Sequence, residues 1–163
     1  MMEVMPTMTE KSENKLVLKQ KLLTECLKIQ NTQIQTAKSA MDEAQESANE
    51  HQGAIEDKFE SFREACQIQR DMIAKQLDEA ITSLSILKRI NATKENKIIM
   101  LGSVVVTNLQ KFFISVSLGE ITVEGEKYFA ISAMSPLFKA MVDKQEGESF
   151  SFRDKHYVIA SIF

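Results

Sequence analysis

The sequence has no tryptophan, only two prolines and five glycines, and just two cysteines in 163 residues. Cys26 and Cys66 form no Cys-x-x-Cys pair, and His51 and His156 stand far apart, so no zinc-ligand spacing occurs. Both cysteines read as small buried hydrophobes of a reducing compartment. No run of 18 apolar residues is present, which excludes a membrane-spanning helix. The opening MMEVMPTMTEKSENK lacks the apolar core and cleavage site of a secretory signal, and residues 1–14 are expected to form a frayed leader. A cytoplasmic location is the expectation that follows.

The scarcity of helix breakers has a pattern. Neither glycine nor proline occurs from Thr7 to Gln52, and after Gly53 none occurs until Gly102. Two long helices divided once are therefore expected. In the first, Leu16, Leu23, Leu27, Ile34, Ala37, Met41, Ala44 and Ala48 recur at steps of three and four, with Gln20 and Gln30 in the gaps. In the second, Phe59, Phe62, Cys66, Ile73, Leu77, Leu84 and Leu87 do the same, with a stutter near Ile73–Leu77. Each stripe is narrow and its helix otherwise polar, so the two stripes predict an antiparallel coiled-coil hairpin over residues 15–92, turning between Ala48 and Ile55. Both seams are consumed inside one chain, which points to a monomer.

Charge is unevenly spread. Residues 1–90 carry 12 Lys and Arg against 15 Asp and Glu, and residues 91–163 carry 8 against 8. Residues 42–64 hold eight acids (Asp42, Glu43, Glu46, Glu50, Glu56, Asp57, Glu60 and Glu64) against Lys58 and Arg63. The expected tip, near residues 48–57, is thus acidic. Such a segment repels phosphates, and direct sequence-specific nucleic-acid binding is not expected of it.

From Lys97 the period changes from three-four to two. Ile98–Thr107, Phe112–Leu118 and Ile121–Ala133 are rich in Val, Ile, Phe and Thr and read as strands. Ser135-Pro136 opens a short helix, with Ser135 as N-cap and Pro136 at its first position. Ser149–Phe152 and His156–Phe163 read as closing strands. Residues 97–163 therefore predict a small α+β domain with one helix against an antiparallel sheet.

The stretch ISAMSPLFKAMVDKQEGESFSFRDKHYVIASIF resembles the C-terminal domain of the Gre transcript-cleavage factors. Ser135, Pro136, Leu137, Lys139, Ala140, Lys144, Gly147 and Glu148 fill the places of the family pattern, and GSVVVT and YFAIS upstream look like it too. With the hairpin before it, the resemblance covers roughly residues 15–163. It implies an FKBP-like C-terminal domain that docks on RNA polymerase at the rim of the secondary channel. Ser135, Pro136 and Lys139 would lie in its partner-facing segment, and the hairpin would reach down the channel. In the family, an Asp and a Glu at the tip help hold a second Mg²⁺ that the polymerase uses to cleave backtracked RNA. Two such ions stabilise the attacking and leaving oxygens of a phosphodiester displacement.

With Phe59 and Arg63-Glu64 aligned to the family's aromatic and Arg-Glu positions, the family's tip Asp and Glu fall on Gln52 and Ile55, which are not anionic ligands. The acids at hand are Glu50, Glu56 and Asp57, and Glu50 of the first helix with Glu56 or Asp57 of the second is the better geometry. The resemblance implies no cofactor in the free protein, only Mg²⁺ shared with the polymerase. Such a factor is no enzyme itself; it stimulates the polymerase's own cleavage. Three alternatives stand beside it: a Gre-like regulator that occupies the channel without stimulating cleavage, a coiled-coil adaptor binding through the hairpin side, and a prolyl isomerase. The last wants an aromatic pocket that a chain without tryptophan is poorly equipped to build.

Overall fold

A computed structural model describes residues 8–50 and 56–163. Helix α1 spans Met8–Glu50 and helix α2 spans Glu56–Lys88. Six strands follow, β1 (Val104–Thr107), β2 (Lys111–Ser115), β3 (Gly119–Val123), β4 (Glu126–Ser132), β5 (Ser149–Phe152) and β6 (Lys155–Ile162), with α3 (Pro136–Met141) between β4 and β5. Helix α1 begins at Met8, inside the stretch read from sequence as a frayed leader. Of the turn expected between Ala48 and Ile55, residues 48–50 are still helical in α1, and residues 51–55 lie outside the described residues.

The chain forms two compact units, one of Lys28–Ser85 and the other joining the segment up to Leu27 with Ile86–Phe163. The second unit thus takes in the first turns of α1 as well as the sheet, so the units part elsewhere than the change of period near Asn91–Lys97.

In the Lys28–Ser85 unit the two helices run antiparallel. Ala37, Ala44 and Ile73 are buried together, with Ala40, Met41 and Leu77 packed around them. Arg70 Nη1 donates to Gln45 Oε1 across the pair at 2.6 Å. The α2 seam is more regular than its apolar residues suggested. Cys66, Ile73 and Ala80 are buried, Arg70, Leu77 and Leu84 half-buried. Counting Arg70 and Ala80, the steps alternate four and three without the expected stutter.

In the other unit the sheet order is β3-β4-β2-β1-β6-β5. It is antiparallel except for β2 and β4, which pair in parallel with Phe112 opposite Phe129 and Ser115 opposite Ser132. The expected all-antiparallel sheet is corrected here, for a topological reason. After β2 the chain passes to the sheet edge as β3, and β4 folds back into the space between them. The fold-back needs a tight turn at Glu124-Gly125, whose φ values of 53° and 77° suit a two-residue hairpin. The stretch Ile121–Ala133, expected as one strand, is therefore divided between β3 and β4.

Alternation along the strands gives the sheet two faces. One carries Val105, Phe112, Ile114, Tyr157 and Ile159, buried with Ile99, Met141, Phe150 and Ile162. Helix α3 covers this face through Leu137, Phe138, Ala140 and fully buried Met141. The rings of Phe150 and Tyr157 stack at 4.9 Å, and Phe112 meets Tyr157 edge-on at 5.9 Å. On the other face Ser115 hydrogen-bonds Cys26 of α1, and Lys21 of α1 pairs with Glu124.

The α1 residues buried in this unit are Lys19, Leu22 and Cys26, each with no exposed surface. Leu16, Leu23 and Leu27 of the expected stripe are only half-buried, and Gln20 is exposed. Lys19 holds a core position because its Nζ donates to the Lys94 carbonyl at 2.7 Å, tying α1 to the segment after α2. Burial holds its ammonium below the usual lysine range, an effect the charge of Glu95 opposes.

Candidate functional site

Of the residues read from sequence as functional, Ser135 caps α3, Pro136 opens it and Lys139 lies in its last turn. The local structure explains why a helix starts there. Strand β4 ends at Ser132, whose carbonyl accepts from Ser135 N at 3.0 Å and from Ser135 Oγ at 2.7 Å. Ser135 is extended, with φ −72° and ψ 152°, and its Oγ accepts from Phe138 N at 3.2 Å. This satisfies one of the first amides that a helix leaves unpaired. Pro136 follows at the first helical position, where its missing N–H costs nothing.

The helix has two sides. Leu137, Phe138, Ala140 and Met141 face the core, while Pro136 and Lys139 are exposed. The expectation that Ser135-Pro136 starts a helix therefore holds, and Ser135, half-buried, is occupied by the cap. Lys139 and Pro136 are free to meet a partner.

The other residues of the resemblance shape the return to β5. Lys144 N donates to Met141 O at 3.2 Å. Gly147, at φ 87°, sits where a side chain would be strained, and its N–H donates to Ile159 O at 2.8 Å. The Glu148 carboxylate accepts from Gln145 N at 3.0 Å. Lys144 and Gly147 thus act through their backbone N–H groups and Glu148 through its side chain, all within the turn.

The acidic tip is different. Glu50 is the last residue of α1, and Glu56 and Asp57 open α2. Their side chains lie outside the described residues. Among the described residues no three His, Cys, Asp or Glu side chains come together as a metal site.

Two features escaped the sequence reading. Met134, between the strand end and the cap, is 83% exposed. Beside it, Met134 N donates to Ser132 Oγ at 3.0 Å, so the methionine stands on a closed, hydrogen-bonded turn. Nothing in the hydropathy pattern marks it, because it continues the apolar run of β4 in sequence. On α2, Ile68 and Met72, one turn apart, are 61% and 60% exposed.

Buried ionisable groups elsewhere are structural. The Cys26 thiol is pushed up to about 11 by burial, despite the Ser115 hydrogen bond, and is therefore a protonated core residue. Burial, with the Glu126 carboxylate nearby, pushes the Tyr128 hydroxyl up to about 12. At the surface, the Lys111 ammonium hydrogen-bonded to Glu126 holds that exposed carboxyl below its usual range.

No helix among the described residues is long and apolar enough to cross a membrane. No family model matches the chain, and no curated protein does. Among solved structures it is similar to GreA factor homolog 1 (Gfh1) of Thermus thermophilus, at 20% identity and a TM-score of 0.35, covering 85% of this chain and 95% of that one. A second structure, of the transcription factor Gfh1, matches at 20% identity and a TM-score of 0.36, covering 85% of this chain and 93% of that one.

Proposed function

We propose that this chain is a Gre-like transcription factor that binds RNA polymerase at its secondary channel, is not itself an enzyme, and uses Ser135, Pro136 and Lys139 in docking. The observation that carries this reading is the start of α3. The family-like Ser-Pro pair caps a helix that turns Pro136 and Lys139 outward while its opposite side is fixed in the core. Two long helices followed by a six-stranded α+β unit are the architecture that the resemblance requires. Residues 15–92 would act as the hairpin and residues 97–163 as the docking domain of a cytoplasmic monomer.

Two variants of the proposal differ at the tip. In the first, Glu50 with Glu56 or Asp57 shares a Mg²⁺ with the polymerase, and cleavage of backtracked RNA is stimulated. In the second, the acidic tip only occupies the channel. A cleavage assay on a stalled, backtracked complex of the cognate polymerase separates them: stimulation selects the first, and binding without stimulation at any Mg²⁺ concentration selects the second.

Docking is tested by titrating the full chain against polymerase at moderate salt. Lys139→Glu is expected to weaken binding and flatten its salt dependence while leaving the melting temperature unchanged, since Lys139 is exposed. Unchanged affinity removes Lys139 from the interface. Absence of binding by the unaltered chain, with capture of another partner through Ile68 and Met72, would favour the adaptor reading.

A further inference from the structure

We infer that Met134 is the apolar anchor of a docking surface at one end of the sheet, seated in an apolar depression of the partner beside a carboxylate that meets Lys139. The inference rests on the polymerase-binding reading above and specifies the chemistry of its contact.

The first observation is exposure on a rigid base. Met134 leaves 83% of its surface in water. Its backbone is fixed from both sides, by Met134 N to Ser132 Oγ at 3.0 Å and by Ser135 N to Ser132 O at 3.0 Å. An apolar side chain on an ordered turn gains its full burial on binding, because the main chain loses no further freedom. Such preorganised, protruding side chains are what partner pockets take up as anchors.

The second observation is placement. Ser115 pairs with Ser132, and Val104 pairs with Phe113. The turn at Met100–Ser103 and the turn at Ser132–Ser135 therefore lie at the same end of the sheet. The order β4-β2-β1 puts them two strands apart, roughly 10 Å. Met100 is itself 43% exposed there. Two flexible thioether side chains at one sheet end make an adaptable apolar contact surface.

Charge identifies the occupant. Helix α3 has no acid, and its exposed Lys139 follows Met134 by five residues. A complementary surface is apolar opposite Met134 and acidic opposite Lys139, and nucleic acid offers no apolar depression to match it.

The test uses the full chain and polymerase, with affinity measured across a salt series. Met134→Gln is expected to bind roughly tenfold or more weakly, the cost of losing one buried methionine, with the salt slope unchanged. Met134→Leu should bind within about threefold of the unaltered chain, since volume and polarity are kept. Both variants should melt with the unaltered chain, because the side chain packs on little of the fold. Equal binding by Met134→Gln overturns the inference and leaves the docking proposal standing. Loss with Met134→Leu equal to that with Met134→Gln also overturns it, since an apolar pocket accepts leucine. Failure of the unaltered chain to bind polymerase overturns both readings at once.

Discussion

Replacing Ser135 by alanine removes two hydrogen bonds with different jobs, and their cost follows from the geometry. Ser135 Oγ accepts from Phe138 N at 3.2 Å, and losing an N-cap acceptor of this kind costs about 1 kcal/mol. The same oxygen donates to Ser132 O at 2.7 Å. That carbonyl keeps Ser135 N as a partner, so losing the hydroxyl costs a further ~1 kcal/mol rather than a full desolvation penalty. The sum is about 2 kcal/mol, which corresponds to a fall of about 4–8 °C in Tm for a chain of this size. Thermal melts followed by circular dichroism read it, and hydrogen exchange at the Phe138 amide locates it. Ser135→Thr preserves both bonds and should melt within about 1 °C of the parent. Ser135→Asp preserves the acceptor and loses the donor, so it should fall in between. A Ser135→Ala protein that melts with the parent and keeps Phe138 protected would refute the cap argument, and any loss of polymerase binding would then belong to direct contact by the hydroxyl.

If the chain stimulates RNA cleavage, Glu50→Gln with Asp57→Asn should abolish the stimulation and leave binding intact; persistent stimulation removes these carboxylates as ligands. Lys19→Ala should lower the urea midpoint by an amount equivalent to about 2–4 kcal/mol, because it opens a cavity and unpairs the Lys94 carbonyl. Cys26, raised from 9.0 to about 11, should resist alkylation at pH 8 until the protein unfolds. The folded thiol holds its proton to higher pH than the unfolded one. Its contribution to stability is therefore whole below pH 9 and declines from pH 9 to 11, which denaturation across that window would show.

What the sequence disclosed and what it hid divide along physical lines. The two helices were legible because long stretches without Gly or Pro leave few other options, and the cap at Ser135-Pro136 was legible because capping chemistry is local. The parallel pairing of β2 with β4 was not. It depends on where β3 lies in space, and the only local trace was Glu124-Gly125, which reads as a turn once both φ values are positive. The stripe of α1 was half misread for a related reason. Leu16, Leu23 and Leu27 fit a two-helix seam, but up to Leu27 the helix belongs to the sheet's unit. The sheet presents Ser115 to Cys26, and Lys19, Leu22 and Cys26 turn inward instead. Met134 was invisible because hydropathy cannot separate a buried methionine from one held out on a turn.

The polar residues in these seams share a consequence. Lys19 and Gln30 are buried as fully as Leu22, and Arg70 interrupts an otherwise apolar stripe. Each costs stability relative to a leucine in the same place, since each carries polar atoms out of water. Lys19 and Arg70 have a partner at one fixed offset: Lys94 O for Lys19 at 2.7 Å and Gln45 for Arg70 at 2.6 Å. Slipping α2 along α1 by one turn would still set apolar side chains such as Ile73 and Leu77 against the small stripe of Ala37, Ala40 and Ala44. It would, however, separate Arg70 from Gln45 and leave its guanidinium only the bond to Gln67 within its own helix. The alanine-rich stripe by itself specifies close approach without register, and Arg70 supplies the register. Arg70→Leu should therefore raise the melting temperature of the helix pair while broadening its exchange behaviour, because the variant gains apolar burial and loses the penalty on slipped pairings.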